Sequence, residues 1–335
     1  MMAAMEYVSN PDLSGMQLPF DWKGTPVDEN GRFVNHEFPH IYSFTEFLKW
    51  RFQRNPQKAE KEADTWHPEV VHNDEFLHAG RDCIVWLGHA SFFIRLAGVN
   101  ILIDPVFYDI VFFKRHTPFP IDPAKLKGLD YILVSHNHLD HCDKRSLRLL
   151  AENNPQAIYL TGLRMEGLLK KLTGSEQVQT AGWYQQYHTD ARIKVFFLPA
   201  RHWSKRGLRD VNSQLWGAFV IQGGGKTIYF ASDSGYGSHF TDVGRIFPVI
   251  DYCIVGIGAY KPAFFMAQSH ISPQDAVKAA NEMHARVMIP MHYGTFDLAD
   301  EPRSDPFNAL KGLEKQGAIQ GHLELLKVGE ELKIQ

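Results

Sequence analysis

Between positions 136 and 141 the chain reads His136-Asn137-His138-Leu139-Asp140-His141, directly after the apolar run DYILVS. Imidazole nitrogens and carboxylate oxygens are ligands of zinc, and each ion takes about four. Such groups packed into one short loop at the end of a strand can serve two neighbouring ions. Three more residues of ligand type each follow a separate apolar run: His202 after IKVFFLPAR, Asp233 after TIYFAS and His292 after RVMIPM. A single His or Asp past a strand is usually a cap or a solvated loop residue. Side chains at the ends of neighbouring strands, however, converge on one sheet edge, which is where loops build sites. Together these residues predict a metal centre.

The elements that must position them are legible as apolar runs. Short β-branched and aromatic stretches occupy 83–88, 91–96, 99–103, 130–135, 157–161, 193–199, 216–222, 227–232, 252–257 and 286–291. Helical patterns fall between them at 144–153, 164–172 and 273–284, the last opening on Ser272 as N-cap with Pro273 in the first helical position. Strands first, then strands mixed with helices, predict an α/β protein: two sheets packed face to face with helices outside. Residues 1–64 carry little beyond a helical patch around Phe44–Arg54 and are expected to wrap a catalytic domain spanning 65–335.

Composition narrows the function classes. At 335 residues, 44% hydrophobic and 22% charged, the chain is an ordinary globular one. A formal net charge of −3 argues against a nucleic-acid binder, which usually shows a basic surface. Cys83, Cys142 and Cys253 are too few and scattered for a disulfide framework, so a reducing, cytoplasmic setting is expected. The start MMAAMEYVSNPD has no basic region followed by a long apolar stretch, so no secretory signal is read.

The ligand pattern resembles the metallo-β-lactamase superfamily, and more closely the N-acylphosphatidylethanolamine phospholipase D family with its bacterial relatives. The segments TWHPE, VWLGHASFFIRL, ILIDPVF, VSHNHLDHCD, PARHWSKRGLRDVNSQLWGAFVI, YFASDSGYG, IGAYKPAFFM and MIPMHYGTFDLADE carry the resemblance. HxHxDH is a signature of the superfamily; the RHWSKR and HYGTFDLADE blocks narrow it to this family. The resemblance implies an αββα sandwich with a dinuclear zinc site. His136, His138 and His202 would hold one ion, Asp140, His141 and His292 the other, and Asp233 would bridge them. His138 stands where iron-binding members usually carry Glu and so favours zinc, with Mn2+ and Fe2+ left open. Asp104 and His89 are expected to hydrogen-bond metal-bound imidazoles. For each, a bland role stands alongside: Asp104 capping the turn before Pro105, His89 a buried core histidine.

The implied chemistry is hydrolysis by a hydroxide bridging two zinc ions, on the phosphodiester of N-acylphosphatidylethanolamine or a related phospholipid. Asp140 and His270 are the catalytic candidates, His270 as the acid for the leaving group. A lipid substrate draws attention to Val106–Phe113 with Lys114 and Arg115 behind it, and to Phe264-Phe265-Met266, as peripheral membrane contacts. Lys205, Arg206 and Arg209 beside His202 could meet a phosphate. A lactonase or amide hydrolase on a small soluble substrate is the alternative, since fold does not settle reaction type. A nuclease and a non-catalytic metal protein stand further back. The oligomeric state, a homodimer included, is open.

Overall fold

A computed structural model describes residues 5–35, 37 and 44–334; residues 1–4, 36 and 38–43 of the expected N-terminal extension lie outside the described residues. Two mixed sheets dominate. One holds seven strands in the order Glu331–Lys333, Cys83–Gly88, Ser91–Leu96, Val99–Ile103, Tyr131–Val134, Ile158–Gly162, Val178–Ala181. The other holds eight: His322–Leu323, Val287–Met291, Tyr252–Gly256, Lys226–Phe230, Ala218–Gly223, Ile193–Leu198, Gln185–Gln186, Ser14–Gly15. Glu6–Val8 and Thr25–Val27 form a separate small ribbon.

Side-chain alternation shows how the layers pack. In Cys83–Gly88, Ile84 and Trp86 join the core between the sheets, while Cys83, Val85 and Leu87 join a second core. That second core is closed from outside by Leu147 and Leu150 of the helix Lys144–Asn153 and by Leu169 and Leu172 of Glu166–Thr173. Both faces of this sheet are therefore buried at its centre, which is why its inner strands read as unbroken apolar runs. His239–Ile246 and Pro273–Glu282 bring Phe240, Val243, Ala276 and Val277 into the core of the other sheet. The result is the αββα sandwich expected from the sequence.

The helix starts are chemically specified. Asp143 caps Lys144–Asn153 by accepting from the Ser146 amide, and Ser272 accepts from the Asp275 amide with Pro273 in the first turn. The segment Phe44–Arg54 is helical over Phe44–Phe52. Strands that composition did not reveal are short and polar, such as Gln185–Gln186 and Ser14–Gly15. The three cysteines are buried and free. Among the described residues, no helix is long and apolar enough to cross a membrane.

Parallel pairing sets where the site falls. Val99–Ile103, Tyr131–Val134 and Ile158–Gly162 run parallel in one sheet, and Lys226–Phe230, Tyr252–Gly256 and Val287–Met291 do so in the other. Their C-terminal ends deliver Asp104, His136, Asp233 and His292 to the loops beyond each strand. Close packing of backbone holds one of these loops in place: a Cβ on Gly258 would lie 2.1 Å from the carbonyl oxygen of His292.

Candidate metal centre

The structure brings all seven sequence-predicted ligands together, in two groups with Asp233 between them. In the first, Nδ1 of His138 lies 2.9 Å from Nε2 of His136 and 3.1 Å from Nε2 of His202. Three imidazole nitrogens this close cannot satisfy one another by hydrogen bonds alone. In the second, the Asp140 carboxylate lies 3.5 Å from Nε2 of His292 and 3.7 Å from Nε2 of His141. Asp233 spans the groups: Oδ2 is 3.1 Å from Nε2 of His141 and 3.9 Å from Nε2 of His202, while Oδ1 is 3.2 Å from Nε2 of His292.

The unused donor capacity fits cations. Nε2 of His141 and of His292 is buried without a hydrogen bond, although Asp233 oxygens are close by. Buried polar atoms are normally satisfied, and a cation shared by converging lone pairs would satisfy these. His136, His138 and His202 could hold one ion, and Asp140, His141 and His292 a second, with Asp233 reaching both.

Neighbouring groups select the tautomers this requires. Asp104 is fully buried; its Oδ1 accepts from the Ser135 amide at 2.7 Å and its Oδ2 from the Ser135 hydroxyl at 2.6 Å and from Nδ1–H of His141 at 2.7 Å. The Ser135 oxygen in turn accepts from Nδ1–H of His136 at 2.9 Å. Nδ1–H of His202 donates to the Ser269 carbonyl at 3.0 Å. Each arrangement leaves Nε2 with a lone pair for a metal. Asp104 is thus more than a cap before Pro105. His89 departs from expectation: its Nε2 lies 3.0 Å from Oδ2 of Asp140, so its hydrogen bond goes to a carboxylate and not to an imidazole.

Electrostatics follow from burial and crowding. Burial disfavours charge on Asp233, but the histidines around it, His141 foremost, hold the carboxyl well below its usual range. Asp140 is held low in the same way by His141, His292 and His89. Burial drives the His136 and His202 imidazoles well below their ordinary value and brings His138 to about 4. Burial also opposes charge on His292, yet Asp233 and Asp140 hold it up to about 9 in the metal-free protein. Loading a metal would exchange that proton for the cation.

A cavity of about 320 Å³ opens onto this cluster, bordered by His138, Asp140, Asp233 and His270 at its floor. Its walls are largely apolar: Trp50, Ile110, Phe113, Trp203, Phe265 and Leu298. Trp50 stacks on Phe265 with ring centres 5.0 Å apart, and Trp203 meets His138 edge-on at 4.8 Å. Sequence reasoning missed Trp50 and Trp203 as wall residues. Trp203 sits inside the RHWSKR block, and Trp50 was visible only as one aromatic in a helical patch.

The segments singled out beside the site divide on inspection. Val106, Phe107 and Ile110 are buried, whereas Val111 and Phe112 are exposed. Arg115 is no surface cation, because its guanidinium donates to the carbonyls of Thr117, Val106 and Leu87. Arg206 likewise donates to the carbonyls of Asn137 and Cys142, bracing the ligand loop. Lys205 borders the cavity.

Fold and site together define a metal-dependent hydrolase on a two-sheet sandwich. Residues 99–293 match the beta-lactamase superfamily domain, and the chain belongs to that superfamily. It is 32% identical over 261 residues to N-acyl-phosphatidylethanolamine-hydrolyzing phospholipase D 1 of Caenorhabditis elegans, across 72% of this chain and 73% of the relative. A UPF0173 metal-dependent hydrolase of Caldivirga maquilingensis is 28% identical, across 74% of this chain and 96% of its own length. Among solved structures, Igni18, a metallo hydrolase from Ignicoccus hospitalis, superposes with a TM-score of 0.58 at 19% identity, over 76% of this chain and 98% of that one. That last likeness is one of fold.

Proposed function

We propose that the seven residues hold two zinc ions and that the chain is a phosphodiesterase of phospholipase D type, acting on N-acylphosphatidylethanolamine or a related phospholipid. The observation that carries this reading is the apolar cavity opening directly onto the ligand cluster with Lys205 on its border. A small polar lactone would gain little from such walls, whereas acyl chains would bury against them. The printed activity of the Caenorhabditis elegans relative supports the same substrate class.

When bound, the ions supply a nucleophile from water near neutral pH and neutralise charge on the phosphoryl oxygens. The chain's own side chains do the rest. Asp140 and Asp233 contribute negative charge that keeps the cations in place. Lys205, at the border, attracts the anionic phosphodiester. Water oxygen bonds to phosphorus, the bond from phosphorus to the ethanolamine oxygen breaks, and a proton from the water ends on that oxygen. The products are phosphatidic acid and an N-acylethanolamine. His270 borders the cavity with Nδ1 3.8 Å from Oδ2 of Asp233. Burial pushes its imidazole down to about 4, with Asp233 pulling the other way. A neutral ring still carries one N–H, so His270 would relay the proton, taking one at one nitrogen as it releases the other's to the leaving oxygen.

A cavity of about 320 Å³ is at the small end of the range that takes one drug-sized molecule, too small for a whole phospholipid with its acyl chains. The glycerol-linked tails would therefore stay in a bilayer while the head group enters with its N-acyl chain against the apolar walls. Phe112 and Leu208, on segments bordering the mouth, are 95% and 96% exposed, and Lys114 and Arg209 flank them in sequence. These apolar tips beside cations would seat the mouth on an anionic membrane. The reading keeps residues 1–64 as an extension of the catalytic domain, with its helix Phe44–Phe52 supplying Trp50 to the mouth.

Mass spectrometry of products after incubating zinc-loaded protein with N-acylphosphatidylethanolamine tests the reading beside a chelator-treated control. Phosphatidic acid plus N-acylethanolamine, lost with chelator, supports it. A protein carrying two zinc ions that releases neither product overturns the substrate and brings carbonyl esters and amides forward. Replacing Phe112 and Leu208 together by Ser should abolish co-sedimentation with anionic vesicles; unchanged sedimentation would remove the membrane partner.

A further inference from the structure

The turn joining Cys83–Gly88 to Ser91–Leu96 holds a histidine in a conformation that a residue with a side chain rarely adopts. His89 has φ 54°, next to Gly88 at φ 98°. Left-handed backbone costs roughly 1–2 kcal/mol for a residue with a Cβ and persists only where surroundings fix it. Here they do. The His89 amide donates to Oγ1 of Thr295 at 2.9 Å. Its carbonyl accepts from Nε1–H of Trp86 at 2.8 Å and from the His292 amide at 3.1 Å. The ring is buried, packed 4.1 Å from the His292 ring and edge-on to Phe296 at 5.0 Å.

All of this constraint aims one atom. Nε2 of His89 lies 3.0 Å from Oδ2 of Asp140, and a carboxylate only accepts, so the ring nitrogen carries the proton. Asp140 is more exposed than its neighbours, at 15% for its side chain against 0% for His141 and 1% for His292. Of these three it has the most room to turn into the cavity. His89 is the group that counters that freedom, and it does so from the sheet that does not carry His292.

We propose that His89 is a positioning residue for the second metal ion: its Nε2–H holds the Asp140 carboxylate in the orientation that faces His141 and His292. The proposal rests on the two-ion reading above. The roles of Asp104 and His89 are then parallel, one orienting an imidazole and the other a carboxylate, both from turns of the seven-stranded sheet. A core histidine that merely filled space would need neither the strained turn nor a contact to a candidate ligand.

Two variants and a metal-competition titration test this. His89→Asn tolerates left-handed backbone but is too short to reach Asp140. His89→Gln restores a donor at nearly the length of Nε2. Expected is an Asn variant that binds its first zinc as the unmodified chain does and its second 10- to 100-fold more weakly, with part of the loss recovered in the Gln variant. The stoichiometry is read against a chromophoric chelator and needs no turnover. An Asn variant binding both ions with unchanged affinity overturns the proposal. So does equal weakening of both ions, the outcome of a purely structural role. An unmodified chain that binds fewer than two zinc ions would overturn the two-ion reading itself, and it is measured without any variant.

Discussion

The two halves of the candidate centre are built on different principles. His136, His138 and His202 form a group of imidazoles in which weak partners, the Ser135 hydroxyl and the Ser269 carbonyl, steady His136 and His202. Asp140, His141 and His292 are surrounded by ionisable groups: Asp104 on His141, His89 on Asp140, and Asp233 beside both imidazoles. The first half reads as a pre-formed pocket of lone pairs. The second reads as a network of charges that needs a cation to be balanced. Loss of an orienting group should therefore matter more in the second half than in the first, and Asp233, shared by both, should matter most.

Asp233→Ala removes the shared carboxylate and should lower hydrolysis by more than about 10³-fold while reducing bound zinc; metal analysis with activity assays checks this, and a fully active variant would end the comparison. His270→Asn leaves every proposed ligand in place, so zinc content should hold while turnover drops by roughly 10²-fold or more, the scale of a lost proton-transfer group. Asp104→Asn keeps the shape but weakens the hold on His141. It should cost 10- to 100-fold in affinity for the second ion and less for the first, which it reaches only through Ser135, read by competition titration. Ser135→Ala removes a neutral partner of His136 worth about 1 kcal/mol, so first-ion affinity should fall by no more than about tenfold. If Ser135→Ala proves as damaging as Asp104→Asn, the contrast between the halves is wrong.

How much of this could be read in advance depends on where the information lies. Long strands were legible because both their faces are buried, as in Cys83–Gly88 and Ser91–Leu96, which forces apolar runs. Val178–Ala181 and Gln185–Gln186 were not, since short strands with polar residues look like loops. The helix Asp305–Lys315 also passed unnoticed, its apolar positions being few. In the site, the seven ligand-type residues stood out because four crowd one loop after an apolar run and the other three each follow a separate run. The partner of His89 was beyond reach: it lies 51 positions away in sequence, and only the packing of the turn against the ligand loop chooses a carboxylate over an imidazole. The exposure of Phe112 against the burial of Val106 and Phe107 was equally hidden, because hydrophobicity marks a segment without saying which of its faces is covered.

The placement of Asp233 and His202 on one sheet, and of His136, His138, Asp140 and His141 on the other, bears on how the molecule comes to exist. On the proposed assignment neither ion finds all its ligands within one sheet. The loop 136–141 alone offers a partial set, able to catch a metal loosely but not to complete its shell. Capture at full affinity must await docking of the two layers, so zinc would enter late in folding and fasten one half of the sandwich to the other. A chain starved of metal would then be expected to form its sheets and fail at their seam.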